Sequence, residues 1–187
     1  MGYAIADAFA AAGAEVFLVS GPTAIQVEMP GVKLISVVSA HEMYLACADL
    51  IEEVDIAVFS AAVADFTPEK KTDSKMKSGK DKLLLQLVPT KDIAAEMGRK
   101  KCVGQVFVGF ALETENGIKH AKEKLAKKNF DLIVLNTLED KGAGFGTDTN
   151  KVTMIDKSGN IDKFELKLKS KVAVDVVDKA LKLLNHA

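Results

Sequence analysis

The sequence predicts an α/β fold, a doubly wound and mostly parallel sheet with helices on both faces. Three observations predict it. Four short runs, Val16-Phe17-Leu18-Val19, Ile56-Ala57-Val58-Phe59, Val106-Phe107-Val108-Gly109-Phe110 and Leu132-Ile133-Val134-Leu135, are continuously apolar. Strands covered on both faces read that way, whereas half-exposed strands alternate. Amphipathic helical stretches fall between the runs, which is the pattern of crossover connections. The chain has 187 residues, 48% hydrophobic and 27% charged, enough for one domain (residues 1–187) with a sizeable core.

Taken in order, the chain opens on a helix, Gly2 to Ala12, with Gly13 as its C-cap. A doubly wound sheet ordinarily opens on a strand and a phosphate-binding turn. An N-terminal strand is therefore expected upstream of Met1. The strand Val16–Val19 comes next. The helix Ala40 to Glu53 places Met43, Ala46, Leu50 and Ile51 on one stripe. The strand at Ile56 leads into an aperiodic segment, Asp65 to Lys82. The strand at Val106 is followed by a helix, Asn116 to Asn129, with Ile118, Ala121 and Leu125 at helical spacing. After the strand at Leu132 a second aperiodic segment runs from Thr137 to Asn150. Segments that long within a domain are often functional. Lys151–Asp156 and Ile161–Leu168 flank Ser158-Gly159-Asn160 as a hairpin. Val152, Met154 and Ile155 do not alternate cleanly, which leaves the hairpin register open. A last helix spans Ser170 to Asn185, with Ser170 as N-cap and Val172, Val176, Val177, Ala180, Leu181 and Leu184 on its apolar side.

Composition excludes several classes. Net charge is −1, so no global field draws the chain to nucleic acid or a membrane. Of the 25 basic residues only Arg99 is an arginine. Arginine is the usual choice for bidentate contacts to bases. No run approaches the length of a membrane span, and no secretory leader is evident. Cys47 and Cys102 stand far apart without a CxxC partner, so they read as buried free thiols of a reducing, cytoplasmic compartment. His41, His120 and His186 form no cluster in sequence, no catalytic role is expected of them, and no metal site is expected.

Five places carry candidate chemistry. Ser60-Ala61-Ala62-Val63-Ala64-Asp65-Phe66 follows a predicted central strand, where open α/β sheets bind ligands. Small residues there let a flat ring approach the backbone, and Asp65 accepts from a ribose hydroxyl, helps hold a cation, or simply caps a turn. The lysines between Lys70 and Lys82, Lys75 among them, form either a solvated loop or a mobile cover for a triphosphate. Pro89-Thr90-Lys91-Asp92-Ile93 turns a strand into a helix, with Asp92 either beside an anion site or simply the N-cap. Phe110, at a strand end, either stacks on a base or joins the core. Lys124 and Lys128 share one helix face, where an anion between them would offset their repulsion.

Together these runs, with Met1-Gly2-Tyr3-Ala4-Ile5-Ala6, Leu18-Val19-Ser20-Gly21-Pro22, Lys75-Met76-Lys77, Val108-Gly109-Phe110-Ala111-Leu112-Glu113-Thr114 and Gly144-Phe145-Gly146-Thr147-Asp148-Thr149-Asn150, resemble the phosphopantothenate–cysteine ligase family. The resemblance covers essentially the whole chain. It implies a Rossmann-like fold and a two-step reaction. CTP, with Mg2+, activates the carboxylate of 4'-phosphopantothenate as an acyl-cytidylate, and cysteine then displaces CMP. By position Lys75 matches the family's essential loop lysine. Ser60, Ala61, Asp65, Thr90, Lys91, Asp92, Ile93, Phe110, Lys124 and Lys128 match its nucleotide-contacting positions. The resemblance implies a homodimer, normally fused to a flavin-dependent decarboxylase whose FMN is not expected in this segment. The sequence departs from the family in two places. The family's first strand, glycine-rich turn and an asparagine tied to the acyl-nucleotide lie before Met1, so this chain by itself is expected to lack part of the site. Thr90-Lys91 stands where some members have Asn-Pro.

Two other readings share the composition. One is a nicotinamide- or flavin-nucleotide reductase domain, against which stands the lack of a G-x-G-x-x-G. The other is a non-catalytic module whose lysine loop grips an acidic partner.

Overall fold

The computed structural model describes residues 1–25, 29–70, 84–113, 116–137 and 148–185. Helix α1 (Gly2–Ala11) leads to β1 (Val16–Ser20), β2 (Val32–Ser36), α2 (Ala40–Leu50) and β3 (Ile56–Phe59). A ribbon of β4 (Phe66–Pro68) and β5 (Leu87–Pro89) precedes α3 (Ile93–Lys100), β6 (Val106–Glu113), α4 (Gly117–Lys127) and β7 (Leu132–Thr137). The chain ends with β8 (Thr149–Asn150), β9 (Val152–Asp156), β10 (Ile161–Lys163), β11 (Lys167–Leu168) and α5 (Lys169–Leu184).

The main sheet has the order β10-β9-β7-β6-β3. Its strands β3, β6 and β7 are parallel; β9 runs antiparallel to β7, and β10, antiparallel to β9, returns to the common direction. This is the mixed, mostly parallel α/β layer that the apolar runs predict. Successive side chains of a strand point to opposite faces, and two cores result. Val106, Val108, Leu132, Val134, Val152 and Met154 pack with α1 and α5 on one face. Phe107, Ala111, Ile133, Leu135 and Ile155 pack with residues of α3 and α4, and with flanking side chains of α2, on the other. Covering on both faces is why Val152, Met154 and Ile155 do not alternate: the register is fixed by β7, with Val134 opposite Met154.

Strands β1 and β2 pair with each other in parallel and form a separate two-stranded sheet. β2 is a strand that the sequence reading misses, since Lys33 interrupts its apolar run. β1 and β3 are as apolar as β6, yet none of their residues is fully buried. Each has only one strand neighbour, whereas β6 and β7 have two. The first turn of α1 stands at the carboxyl ends of both. The Tyr3 hydroxyl donates to Ser20 Oγ (3.1 Å), and a Cβ at Gly2 would lie 2.9 Å from Ser60 Oγ.

Local chemistry explains several boundaries. Ser39 caps α2 through a reciprocal capping box: its Oγ accepts from the Glu42 amide, and the Glu42 carboxylate accepts from the Ser39 amide. Gly13, at φ +89°, turns the chain out of α1 in a conformation that other residues rarely adopt. Ser170 is not the N-cap of α5. The N-cap is Leu168, at the end of β11, with no side-chain cap bond, and the Lys169 amide donates to the Asp148 carbonyl (2.9 Å). The expected strand Ile161–Leu168 divides in two: β10 continues the hairpin with β9, while β11 pairs with β8. Ile118 and Leu181, expected in the core, are 38% and 36% exposed. Cys47 is half-buried and burial raises its thiol pKa, but Cys102 is exposed, in the connection after α3, so the expectation of two buried thiols holds for neither in full. Among the described residues no helix is long and apolar enough to cross a membrane.

Candidate functional site at the carboxyl ends of the parallel strands

In a parallel sheet the crevice beyond the strand carboxyl ends is the usual ligand site. The register sets Phe59 opposite Gly109, so the segments starting at Ser60 and Phe110 leave the sheet side by side. Strand alternation then divides the predicted residues between its two faces. Phe110 is half-buried against the core that holds α1 and α5, and Ser60 is on the α1 side. Ile93 is 7% exposed and belongs to the opposite core, beside α3 and α4. Its side chain is therefore structural, leaving its backbone for a ligand.

Thr90 ties the ribbon to the first of these segments. Its hydroxyl donates to the Ala64 carbonyl (2.6 Å) and its amide to the Asp65 carbonyl (2.9 Å). Ala61 and Asp65 are exposed. Asp92 is the N-cap of α3: its Oδ1 accepts from the Ala95 amide (3.1 Å). The same oxygen accepts from Lys128 Nζ (2.8 Å). Partial burial pushes the Asp92 pKa up, but the bonds from Lys128 and Ala95 and the charges of Lys128 and Lys127 outweigh it and hold the carboxyl below its ordinary range. Its own carboxylate thus fills the helix terminus, so the capping reading of Asp92 is the one the structure adopts. The Lys91 ammonium stands 4.1 Å from the centroid of the Tyr44 ring of α2. Lys124, half-buried, makes no ion pair among the described residues, and it stands one helical turn from Lys128. Lys75 lies outside the described residues, as do most of the lysine loop and the Gly144 to Thr147 run.

The structure adds a pair that the sequence reading misses. His120 Nδ1 lies 3.4 Å from Glu113 Oε2, where β6 ends and α4 begins. Nothing in the sequence marks this pair, because the two residues belong to different elements. Nearby, β6 and β7 place Leu112 opposite Asn136, and the buried Asn150 donates to Asn136 Oδ1 (3.1 Å). Among the described residues no group of three or more His, Cys, Asp or Glu could hold a metal ion.

A different polar network lies at the amino ends of the strands. Asp131, 3% exposed at its side chain, accepts from the Phe107 amide (2.7 Å), from Lys157 (2.9 Å) and from Lys101. A hollow of about 300 Å³, lined by Lys101, Cys102, Gly104, Gln105, Asn129 and Lys157, adjoins it. It is remote from the strand carboxyl ends, and its Lys101 is committed to Asp131. We therefore place the candidate site at the carboxyl ends.

Comparison with known proteins agrees with this architecture. Residues 1–184 match the model of the family described as the DNA/pantothenate metabolism flavoprotein C-terminal domain. The chain is 52% identical over 185 residues to a cysteine/cysteine sulfinic acid decarboxylase of an unknown prokaryotic organism, covering 99% of this chain and 52% of that protein. It is 45% identical over 174 residues to the coenzyme A biosynthesis bifunctional protein CoaBC of Bacillus subtilis (strain 168), covering 93% and 42%. It thus spans about half the length of these relatives. The crystal structure of the C-terminal domain of a coenzyme A biosynthesis bifunctional protein CoaBC superposes with a TM-score of 0.83 at 34% identity, covering 99% of this chain and 82% of that one. The chain belongs to the DNA/pantothenate metabolism flavoprotein C-terminal domain family.

Proposed function

We propose that this chain ligates 4'-phosphopantothenate to cysteine at the expense of CTP, giving phosphopantothenoylcysteine, CMP and pyrophosphate. One observation carries the reading: Lys124, a half-buried cation with no ion pair among the described residues, stands beside the Asp92–Lys128 pair in a chain 45% identical to a CoaBC protein. Surplus positive charge at strand carboxyl ends suits a polyphosphate. The substrate carboxylate attacks the α-phosphorus and pyrophosphate leaves. The residues' task is to neutralise charge and hold the reactants, with Lys75 as the cation at the α-phosphate. Ser60, Ala61 and Asp65 offer backbone and carboxylate contacts to the nucleoside, and Thr90 fixes the turn that presents them. Mg2+ is read as the counter-ion of CTP, arriving with the substrate. The described residues form no group of three or more His, Cys, Asp or Glu that could cage it.

The reading includes a homodimer in the cytoplasm. Phe66, Leu85 and Leu87, 58%, 56% and 50% exposed, project from the β4–β5 ribbon, and a second copy would cover them. Free Cys47 and exposed Cys102 suit a reducing compartment.

The test is CMP formation from CTP, Mg2+ and 4'-phosphopantothenate with and without cysteine, in a chain carrying the family's first strand and glycine-rich turn ahead of Met1. Cysteine-dependent CMP is expected, and Lys75→Gln should abolish it while Lys71→Gln barely matters. Equal effects of the two substitutions, or no turnover, would sink the proposal. Release of CO2 from cysteine or cysteine sulfinate without nucleotide would favour the activity named for the decarboxylase relative instead.

A further inference from the structure

We propose that His120, held by Glu113, is the proton acceptor for the amine that enters the second half of the reaction. The inference rests on the ligase reading and adds to it a residue for the step that follows activation. Cysteine arrives largely as an ammonium ion, which has no lone pair for attack. Some group must take a proton before the carbon–nitrogen bond can form, and imidazole is the side chain suited to that task near neutral pH.

The placement is specific. β6 runs four residues beyond the last residue paired with β3, from Phe110 to Glu113, so its end overhangs the crevice. Alternation puts Glu113 on the same face as Phe107 and Ala111, the face covered by α3 and α4. Gly117 lets α4 start close against this strand end. A Cβ there would lie 3.2 Å from a Leu135 methyl and 3.4 Å from the Glu113 Cβ. One turn into α4, His120 turns Nδ1 toward the Glu113 carboxylate. Of the two side chains, Glu113 is the more enclosed, at 25% exposure against 46% for His120. The carboxylate beside Nδ1 favours the tautomer with its proton there and leaves the lone pair on Nε2 for an incoming donor. His120, Lys124 and Lys128 follow at four-residue intervals along α4, so the imidazole heads the stripe whose lysines face the nucleotide in the proposed reaction.

Nε2 of His120 takes one proton from the cysteine ammonium. The freed amine attacks the acyl carbon, the C–N bond forms and the bond from that carbon to the phosphate oxygen breaks. CMP leaves with the electron pair, and the second nitrogen proton passes to water as the amide forms. His120 touches the amine, whereas Glu113 is a positioning residue that fixes the imidazole.

The experiment compares two rates in the same protein: pyrophosphate release from CTP and 4'-phosphopantothenate without cysteine, and amide formation when cysteine is added. His120→Gln should lower the ratio of amide formation to pyrophosphate release by about 100-fold or more, the ordinary worth of a positioned base. Added imidazole should restore part of it. Glu113→Gln, which keeps a hydrogen-bond acceptor without the charge, should lower the ratio by about 10-fold, with no rescue by imidazole. Circular dichroism of each variant checks that folding is intact. An unchanged ratio, or equal loss of both rates in a folded variant, overturns the proposal while leaving the ligase reading standing. No pyrophosphate release by the unaltered protein overturns the ligase reading, and this inference with it.

Discussion

Replacing Asp131 by alanine probes the least exposed ion pair among the described residues, that of Asp131 with Lys101. The carboxylate accepts three bonds, and they are not of equal weight. Lys157 is 59% exposed at its side chain, so its pairing with Asp131 contributes at most about 1 kcal/mol. Lys101 is only 10% exposed and decides the outcome. Without Asp131 its ammonium keeps the Asn129 carbonyl at 3.3 Å and the Phe107 ring at 5.3 Å, neither of which cancels a buried charge. Breaking such a pair costs about 3–5 kcal/mol. The orphaned Phe107 amide adds about 1 kcal/mol or more, not fully additively. We expect Asp131→Ala to lose about 4–5 kcal/mol, a large share of the roughly 5–15 kcal/mol available to a domain. At about 2–4 °C per kcal/mol the melting temperature should fall by roughly 10–15 °C. Urea unfolding followed by circular dichroism measures the loss directly. Adding Lys101→Met to Asp131→Ala should recover about 2 kcal/mol, because the uncompensated charge is then gone. A loss below about 1 kcal/mol, or no recovery in the double variant, would refute the assignment of the energy to the buried charge.

Three further outcomes follow from the structure. Gly109→Ala should destabilise by about 3 kcal/mol in urea unfolding, since its Cβ would lie 2.0 Å from the buried ring of Phe130; a neutral result would mean that β6 shifts freely. Ser39→Ala should cost about 1 kcal/mol through loss of the capping box, and Ser39→Asp should restore most of it. Asp92, Asp131 and Asp156 all sit below the ordinary carboxylate range, because bonds from lysines and from amide groups outweigh the upward push of burial. Their stabilisation is complete above the unfolded value of about 4 and is lost as pH falls through the lower folded values, so urea stability should be flat near neutrality and decline below about pH 4; stability that rises on acidification would contradict this.

The apolar runs at Ile56, Val106 and Leu132 determined the parallel core, because a strand covered on both faces needs apolar side chains at every position. The stripe Val172, Val176, Val177 and Ala180 likewise announced the packed face of α5. The order of the motifs placed the candidate site at the strand ends, and Ser60, Asp65, Thr90, Asp92 and Phe110 are found around them. What the sequence could not decide was pairing between distant elements. Whether Asp92 caps a helix or binds an anion depends on Lys128, thirty-six residues on, whose ammonium reaches its carboxylate. The contact of Lys91 with the Tyr44 ring of α2 joins residues forty-seven apart and is equally invisible along the chain. Asp131 looks like any loop aspartate until the fold closes Lys101 and Lys157 around it. His120 formed no cluster along the chain and gained Glu113 only when α4 packed against the end of β6. Hydrophobic periodicity is a local property, set by which face of one element meets the core, and it survives in the sequence. Charge pairing is a property of two elements at once, and side chains of ordinary length reveal it only when tertiary packing brings them within about 4 Å.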